Sequence, residues 1–146
     1  VNKTIVIGSD HGGYNLKQVL IKALEDWGYA VEDQGPDCLE SCDYPLFAAK
    51  VVDRVKADDA VLGVLVCGTG QGMTMTANRM GVRAALCTNE FLARMAREHN
   101  DARILCLGER VTGQGLALAI LKTFLDTGFG GERHQRRIDL IDAVSK

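Results

Sequence analysis

Proline is scarce in this chain: Pro36 and Pro45 are the only two, and neither interrupts a strongly apolar segment. The backbone is therefore free to form unbroken regular elements along most of its length. Long hydrophobic runs are missing as well, and no stretch has the twenty or so apolar residues that a bilayer-spanning helix needs, roughly 30 Å of rise. Charge of one sign is not in excess. Lys and Arg number 17 against 19 Asp and Glu, a formal charge of −2, so there is no electrostatic footprint for nucleic acid or an acidic membrane. Repeats, low-complexity tracts and Ser- or Gly-rich linkers are absent too, and 146 residues suit one domain, expected to cover 1–146. The five cysteines are odd in number and scattered, which excludes a disulfide framework and leads us to expect a reducing, cytoplasmic setting. The chain opens on Lys3-Thr4-Ile5-Val6-Ile7, which reads as a strand and not as a secretory signal. Metal motifs are lacking: Cys38 and Cys42 have a plausible spacing, but no second Cys or His pair completes a tetrahedral site, and Asp10-His11 alone is no metal motif. No metal and no other cofactor is expected.

What is present is alternation. Runs rich in Val and Ile fall at 4–7, 60–67, 82–87 and 104–107, with a weaker one at 30–32. Between them, apolar residues recur at helical spacing. Leu16, Val19, Leu20, Ala23, Leu24 and Trp27 form one stripe, which Gly28 stops. Phe47, Ala48, Val51, Val52 and Val55 form another; Phe91, Leu92, Met95 and Ala96 follow an Asn89 cap; residues 116–125 follow Thr112. Short continuous apolar strands separated by helices predict a parallel sheet covered on both faces. The expected fold is a single Rossmann-like, three-layer α/β domain, doubly wound, with a five-stranded parallel sheet and a C-terminal helix. Ligands of such sheets bind beyond the carboxyl ends of the strands, so the strand-end loops are where chemistry is expected.

Those loops carry polar and glycine-rich sequence. The first strand ends in Gly8-Ser9-Asp10-His11-Gly12-Gly13, the third in Cys67-Gly68-Thr69-Gly70-Gln71-Gly72 and the fifth in Gly108-Glu109-Arg110. The helix after the fourth strand finishes in His99-Asn100-Asp101, so two of the three histidines are expected in mouth loops. Glycines at 68, 70 and 72 let successive N–H groups converge just before a helix N-terminus, a nest that stabilises negative charge. A tight turn that binds nothing has the same pattern. No Gly-Lys-Ser/Thr follows, so it is not a Walker loop; the third glycine of a dinucleotide fingerprint is missing, although Glu90 lies at about the right distance for a ribose contact, which keeps nucleotide binding open. Cys67 beside this nest is a candidate base or nucleophile, while Cys87 and Cys106 read as buried strand residues. Arg133 and Arg137, four apart in the helix-like segment Glu132–Val144, share one face and suit a phosphate; a solvated basic face reads the same way. Ile138, Leu140, Ile141 and Val144 give that segment apolar positions to bury, in part against a partner subunit.

Taken in order, these motifs, together with Asp43-Tyr44-Pro45, Ala77-Asn78 and Arg133-His134-Gln135-Arg136-Arg137, closely resemble type B ribose-5-phosphate isomerase. Its family also contains galactose-6-phosphate isomerase subunits. The resemblance spans essentially the whole chain. It implies aldose–ketose isomerisation of a sugar phosphate, D-ribose 5-phosphate first among candidates, with allose 6-phosphate, galactose 6-phosphate or a tetrose phosphate as alternatives. It implies that Cys67 removes the proton next to the carbonyl, that His99 opens the sugar ring, and that Thr69 with Gly68, Gly70, Gln71 and Gly72 holds the enediolate oxygen. It implies sugar contacts from Asp10, Asn100 and Tyr44 and phosphate contacts from His11, Arg110, Arg133 and Arg137. It further implies a homodimer or dimer of dimers with shared sites, no cofactor, and no nucleic-acid or membrane partner. Some members replace the cysteine with a glutamate just past the glycine loop; here Met73 and Met75 stand near that place, so no carboxylate competes with Cys67.

Overall fold

A computed structural model describes residues 3–144. Five strands, β1 (Thr4–Ser9), β2 (Ala30–Asp33), β3 (Leu62–Cys67), β4 (Ala84–Leu86) and β5 (Ile104–Gly108), pair in parallel throughout, in the order β2-β1-β3-β5-β4. The six helices are α1 (Tyr14–Asp26), α2 (Tyr44–Ala57), α3 (Gln71–Arg79), α4 (Glu90–Glu98), α5 (Gln114–Asp126) and α6 (Glu132–Val144). The three central strands are buried along nearly their whole length, as their unbroken apolar sequence requires. On one face the core is closed by Leu16, Leu20 and Leu24 of α1, Ala93 and Ala96 of α4, and Ile120, Leu121 and Phe124 of α5. On the other, Val51, Val52 and Val55 of α2 pack with Met73 and Ala77 of α3. The expected three-layer, doubly wound architecture is therefore what the chain forms.

The helix boundaries follow local chemistry. Asn89 caps α4, its side chain accepting from Leu92 N–H at 2.8 Å. Gly28 ends α1 with φ +93, a conformation that costs a glycine nothing. Helix α5 begins at Gln114 behind Gly113; Thr112, expected just ahead of it, is buried in the turn, donating its N–H to Gly108 O. The fourth strand is shorter than the apolar run 82–87 suggested, because it lies at the sheet edge with one partner only. Two stripe residues of α4 also break the expectation: Phe91 is 58% and Leu92 41% exposed, while the smaller Ala93 and Ala96 face the core. On α6 only His134 and Ile138 are buried, and Leu140, Ile141 and Val144 remain exposed.

The α1 stripe holds a residue that periodicity could not place. Lys17 is fully buried, yet each of its three ammonium protons has an acceptor: Asp33 Oδ1 at 2.8 Å, Asp33 Oδ2 at 2.9 Å and the Pro36 carbonyl at 2.9 Å. A buried ammonium is tolerated only when saturated in this way. The ion pair ties α1 to the carboxyl end of β2 and fixes where the loop 34–43 departs. Removing the charge while keeping the stem takes the ammonium from the Pro36 carbonyl and from an Asp33 carboxylate that is 35% exposed and still accepts from Gly35 N–H at 2.8 Å. Lys17→Met is expected to lower unfolding free energy by roughly 2–4 kcal/mol, discounted for the solvent that reaches Asp33. Urea denaturation measures it, and an unshifted midpoint would mean the pair is energetically idle.

Candidate active site

Because all five strands run the same way, their carboxyl ends share one edge of the sheet. Cys67 is the last residue of β3, Ser9 of β1 and Gly108 of β5, so Asp10, Cys67 and Arg110 emerge side by side. Glu109 N–H donates to Cys67 O at 2.9 Å and Arg110 N–H to Gly68 O at 3.0 Å, which clips the two loops together. A Cβ on Gly68 would sit 3.4 Å from Arg110 Nη1, so that guanidinium folds over the loop backbone; the Gly12 turn approaches the same residue as closely. Asp10 is 8% exposed, and its side chain accepts from Gly13 N–H at 3.0 Å, steadying the turn that leads into α1.

The glycine loop wraps the sulfur. Gly70 has φ +81, and a Cβ there would strike Leu86 at 2.5 Å, so no other residue fits. In that conformation its N–H points at Cys67 Sγ, 3.2 Å away, and α3 begins at the next residue. An amide proton and a helix N-terminus aimed at one sulfur stabilise negative charge on it. Thr69 Oγ1 accepts from Gln71 N–H at 3.3 Å, and Gly72 lies flat beneath the Tyr44 ring, where a Cβ would meet Tyr44 Cε1 at 2.5 Å. The other strand cysteines lack this treatment. Burial pushes the Cys87 thiol up to about 11 and the Cys106 thiol up to about 12.

His11 is oriented from outside the loops first singled out. Its Nδ1 accepts from Cys42 N–H at 3.2 Å, so the ring carries its proton on Nε2. The Cys42 thiol stands 4.0 Å from the same nitrogen and is held above its ordinary value, chiefly by burial. Cys42 had been weighed only as a metal ligand; its use here is a backbone donor, which no side-chain pattern reveals. Among the described residues, no three His, Cys, Asp or Glu side chains are gathered as a metal site would need. Glu109 was also missed: its carboxylate accepts from Leu16 N–H at 2.7 Å, pinning the β5 end to α1.

His99, Asn100, Arg133 and Arg137 are not part of this gathering, which corrects the expectation that His99 lies in a mouth loop. His99 caps the C-terminus of α4, and α4 runs back from the carboxyl edge to the amino edge, five residues ahead of β5. Within one chain the height of β5, roughly 13 Å, separates that turn from Cys67. At the amino edge His99 stacks on His134 with ring centroids 4.3 Å apart and an angle of 22°. Loss of hydration, then His99, Arg133 and Arg137, hold the His134 imidazole below its ordinary value. So α6 brings both arginines to the histidine pair, and the chain carries two separated half-constellations. Cavities of about 340 and 440 Å³ also open at the amino edge, but the arginines lining them are already engaged, Arg97 with Asp101 and the Ala102 carbonyl, and Arg103 with the Asp58 carbonyl and the Asp59 side chain. The carboxyl edge, where the Gly70 amide and the start of α3 face a thiol, is the better catalytic candidate.

A parallel α/β layer with an anion nest and a thiol at the strand mouth defines the class: an α/β enzyme acting on a small anionic substrate. The model of the ribose/galactose isomerase family matches residues 5–141, and the chain belongs to that family. It is 50% identical to the solved Clostridium thermocellum ribose-5-phosphate isomerase B, with 97% of each chain covered and a TM-score of 0.94. Ribose-5-phosphate isomerase B from Mycoplasma genitalium, solved with bound ribulose-5-phosphate, gives 43% identity, coverage of 97% of this chain and 95% of that one, and a TM-score of 0.92. The Escherichia coli ribose-5-phosphate isomerase B is 37% identical over 145 residues, 99% of this chain and 97% of the relative.

The contrast among thiols has a direct readout. With thiols raised to about 11 and about 12, Cys87 and Cys106 carry almost no thiolate at pH 8. Native-state alkylation at pH 8, mapped by peptide mass, is expected to label exposed Cys38 and to leave Cys87 and Cys106 unmodified until the chain is unfolded. Labelling of either strand cysteine in the folded protein would contradict the burial argument.

Proposed function

We propose that the protein interconverts D-ribose 5-phosphate and D-ribulose 5-phosphate through a cis-enediolate, with Cys67 as the base. The observation that carries this reading is the Cys67 sulfur facing the Gly70 N–H at the carboxyl end of β3, in a chain of the ribose/galactose isomerase family. The cyclic aldose must open first. The imidazole of His99 takes the O1 proton and returns one to the ring oxygen as the C1–O4 bond breaks. The Cys67 thiolate then removes the C2 proton, and the electron pair moves onto O1. Amides of the 68–72 loop and Thr69 face that oxygen, where fixed donors in a closed site do most. A proton shift from O2 to O1 and return of the Cys67 proton to C1 give the ketose. Hydrogen moves only as protons within one sugar, so no redox cofactor enters the balance. Arg110 and His11 from one side, and Arg133 and Arg137 from the other, hold a phosphate that never reacts; its binding energy orients the reacting end.

This reading requires two copies. Cys67 and His99 lie at opposite edges of one sheet, so a second subunit must supply the His99–Asn100 turn and the α6 arginines to the mouth of the first. Support comes from the apolar side chains left bare on α4, α5 and α6: Phe91, Leu92, Leu116, Leu140 and Ile141 are each between 41% and 58% exposed, surface that a second copy would cover. The unit is a homodimer, or a dimer of dimers, in a reducing cytoplasm where unbridged cysteines persist.

Cys67→Ala is expected to cut turnover of ribose 5-phosphate by about a thousandfold, with an unchanged melting curve. Comparable turnover in that variant would remove the sulfur from the reaction. A coupled assay over four-, five- and six-carbon aldose phosphates ranks the substrates, and the five-carbon one is expected first. Shared sites predict complementation: refolding inactive Cys67→Ala with inactive His99→Ala in equal amounts is expected to restore about a quarter of wild-type activity, since half the dimers are mixed and each holds one intact site. No recovery would place both residues in a site built by one chain.

A further inference from the structure

We propose that Arg83 is a positioning residue that holds the His99–Asn100 turn and helix α6 as one rigid unit. The inference rests on the shared-site reading above, because it concerns the half-site that one subunit offers to the other. Arg83 immediately precedes β4, and its backbone carbonyl accepts from Arg103 N–H at 2.9 Å, so its root is fixed to the sheet. Its side chain, 24% exposed, leaves the sheet in two directions. Toward α4, Nε donates to the Asn100 carbonyl at 3.0 Å, and Nη2 lies 3.4 Å from the Asp101 carbonyl and 3.6 Å from Asp101 Oδ2. Toward α6, Nη1 lies 3.5 Å from Asp142 Oδ1. One guanidinium thus contacts both elements that carry the proposed ring-opening and phosphate-holding side chains.

Asp101 has φ +45, the one non-glycine residue with positive φ among the described residues, a backbone conformation that side chains rarely adopt. Closing the turn itself is already accomplished without Arg83. Asp101 N–H donates to Arg97 O, Ala102 N–H to Ala96 O, and Arg97 Nη1 bonds Asp101 Oδ1 at 3.2 Å and the Ala102 carbonyl at 2.6 Å. What Arg83 adds is connection. The same edge also carries the His99–His134 stack and the Gly130 N–H to Glu98 O bond, and neither of these two contacts involves the Asn100 peptide. A planar guanidinium holds its partners in fixed directions, which a rotating ammonium on the same site would not.

The test compares three variants of the whole chain against wild type with ribose 5-phosphate. In Arg83→Met, kcat/KM is expected to fall by about 10- to 100-fold, as misplaced catalytic groups do, with kcat lowered through His99 and KM raised through Arg133 and Arg137. Arg83→Lys is expected to recover the melting temperature but only part of kcat/KM. Arg103→Met is the control: its side chain bonds the Asp58 and Val61 carbonyls at the same edge, at 2.7 and 2.8 Å. It is expected to lower the melting temperature while kcat and KM stay within about twofold. A kinetic loss in Arg83→Met no larger than that of Arg103→Met overturns the proposal and reduces Arg83 to a structural brace. Should Arg83→Met fail to fold, Arg83→Lys decides on the same comparison. Absence of turnover by the wild-type chain on every sugar phosphate would instead overturn the functional reading and this inference with it, so the two failures are distinguishable.

Discussion

Every feature of the site descends from one constraint, the common direction of the five strands. A parallel sheet has two chemically unlike edges. At the carboxyl edge the chain turns from strand into helix, so free N–H groups and positive helix ends point outward; at the amino edge the helices arrive with free carbonyls. Anions and thiolates are stabilised at the first edge, and cationic side chains gather at the second. Cys67, Thr69 and the glycine amides sit at the first. Arg83, Arg97, Arg103 and the two α6 arginines collect around the second. The separation of the Cys67 cluster from the His99–His134 cluster is therefore a property of strand polarity before it is a property of any motif.

Within the carboxyl edge, what distinguishes one thiol from its neighbours is a single amide. Cys67, Cys87 and Cys106 are all nearly inaccessible to solvent, and all three are small apolar-looking residues in or beside strands. In two of them burial outweighs what polar contact they have, the Ala85 carbonyl for Cys87 and Thr74 for Cys106, and their sulfurs stay protonated. The third meets the N–H of Gly70, delivered by a backbone conformation available only to glycine. Cβ atoms are excluded at residues 70 and 72 by Leu86, Leu107 and Tyr44, so the loop has no freedom to turn its amides away.

Much of this was legible in the sequence, and the limits have physical reasons. The strands at 4–7, 60–67 and 104–107 stood out because a sheet covered on both faces needs continuous apolar runs, and the Asn89 cap because its side chain bonds only three residues ahead. Strand order is a different matter. Nothing in the run 82–87 says that β4 lies outside β5, so its short length and half-exposed faces could not be read. Phe91 and Leu92 fit a helical stripe, but which stripe of α4 turns toward the sheet depends on its packing against α5, and the smaller Ala93 and Ala96 take that side. His99 was assigned to the mouth because it follows a strand and a helix in sequence; counting helix direction as well places it at the far edge. Lys17, Glu109 and the Cys42 amide act over separations of 16, 93 and 31 residues, beyond the reach of any local pattern.

The sheet is bounded by its two shortest strands. Outermost β2 offers four residues and β4 three, and β2 carries Glu32, which is bonded bidentately to Arg54 at 2.8 and 2.9 Å. A foreign strand seeking to extend the ladder finds too few free peptide groups for more than a brief contact, and an ion pair beside them. Accretion into fibrils is thereby resisted at both margins, and copies of this chain are left to meet through helices and loops, not by strand addition.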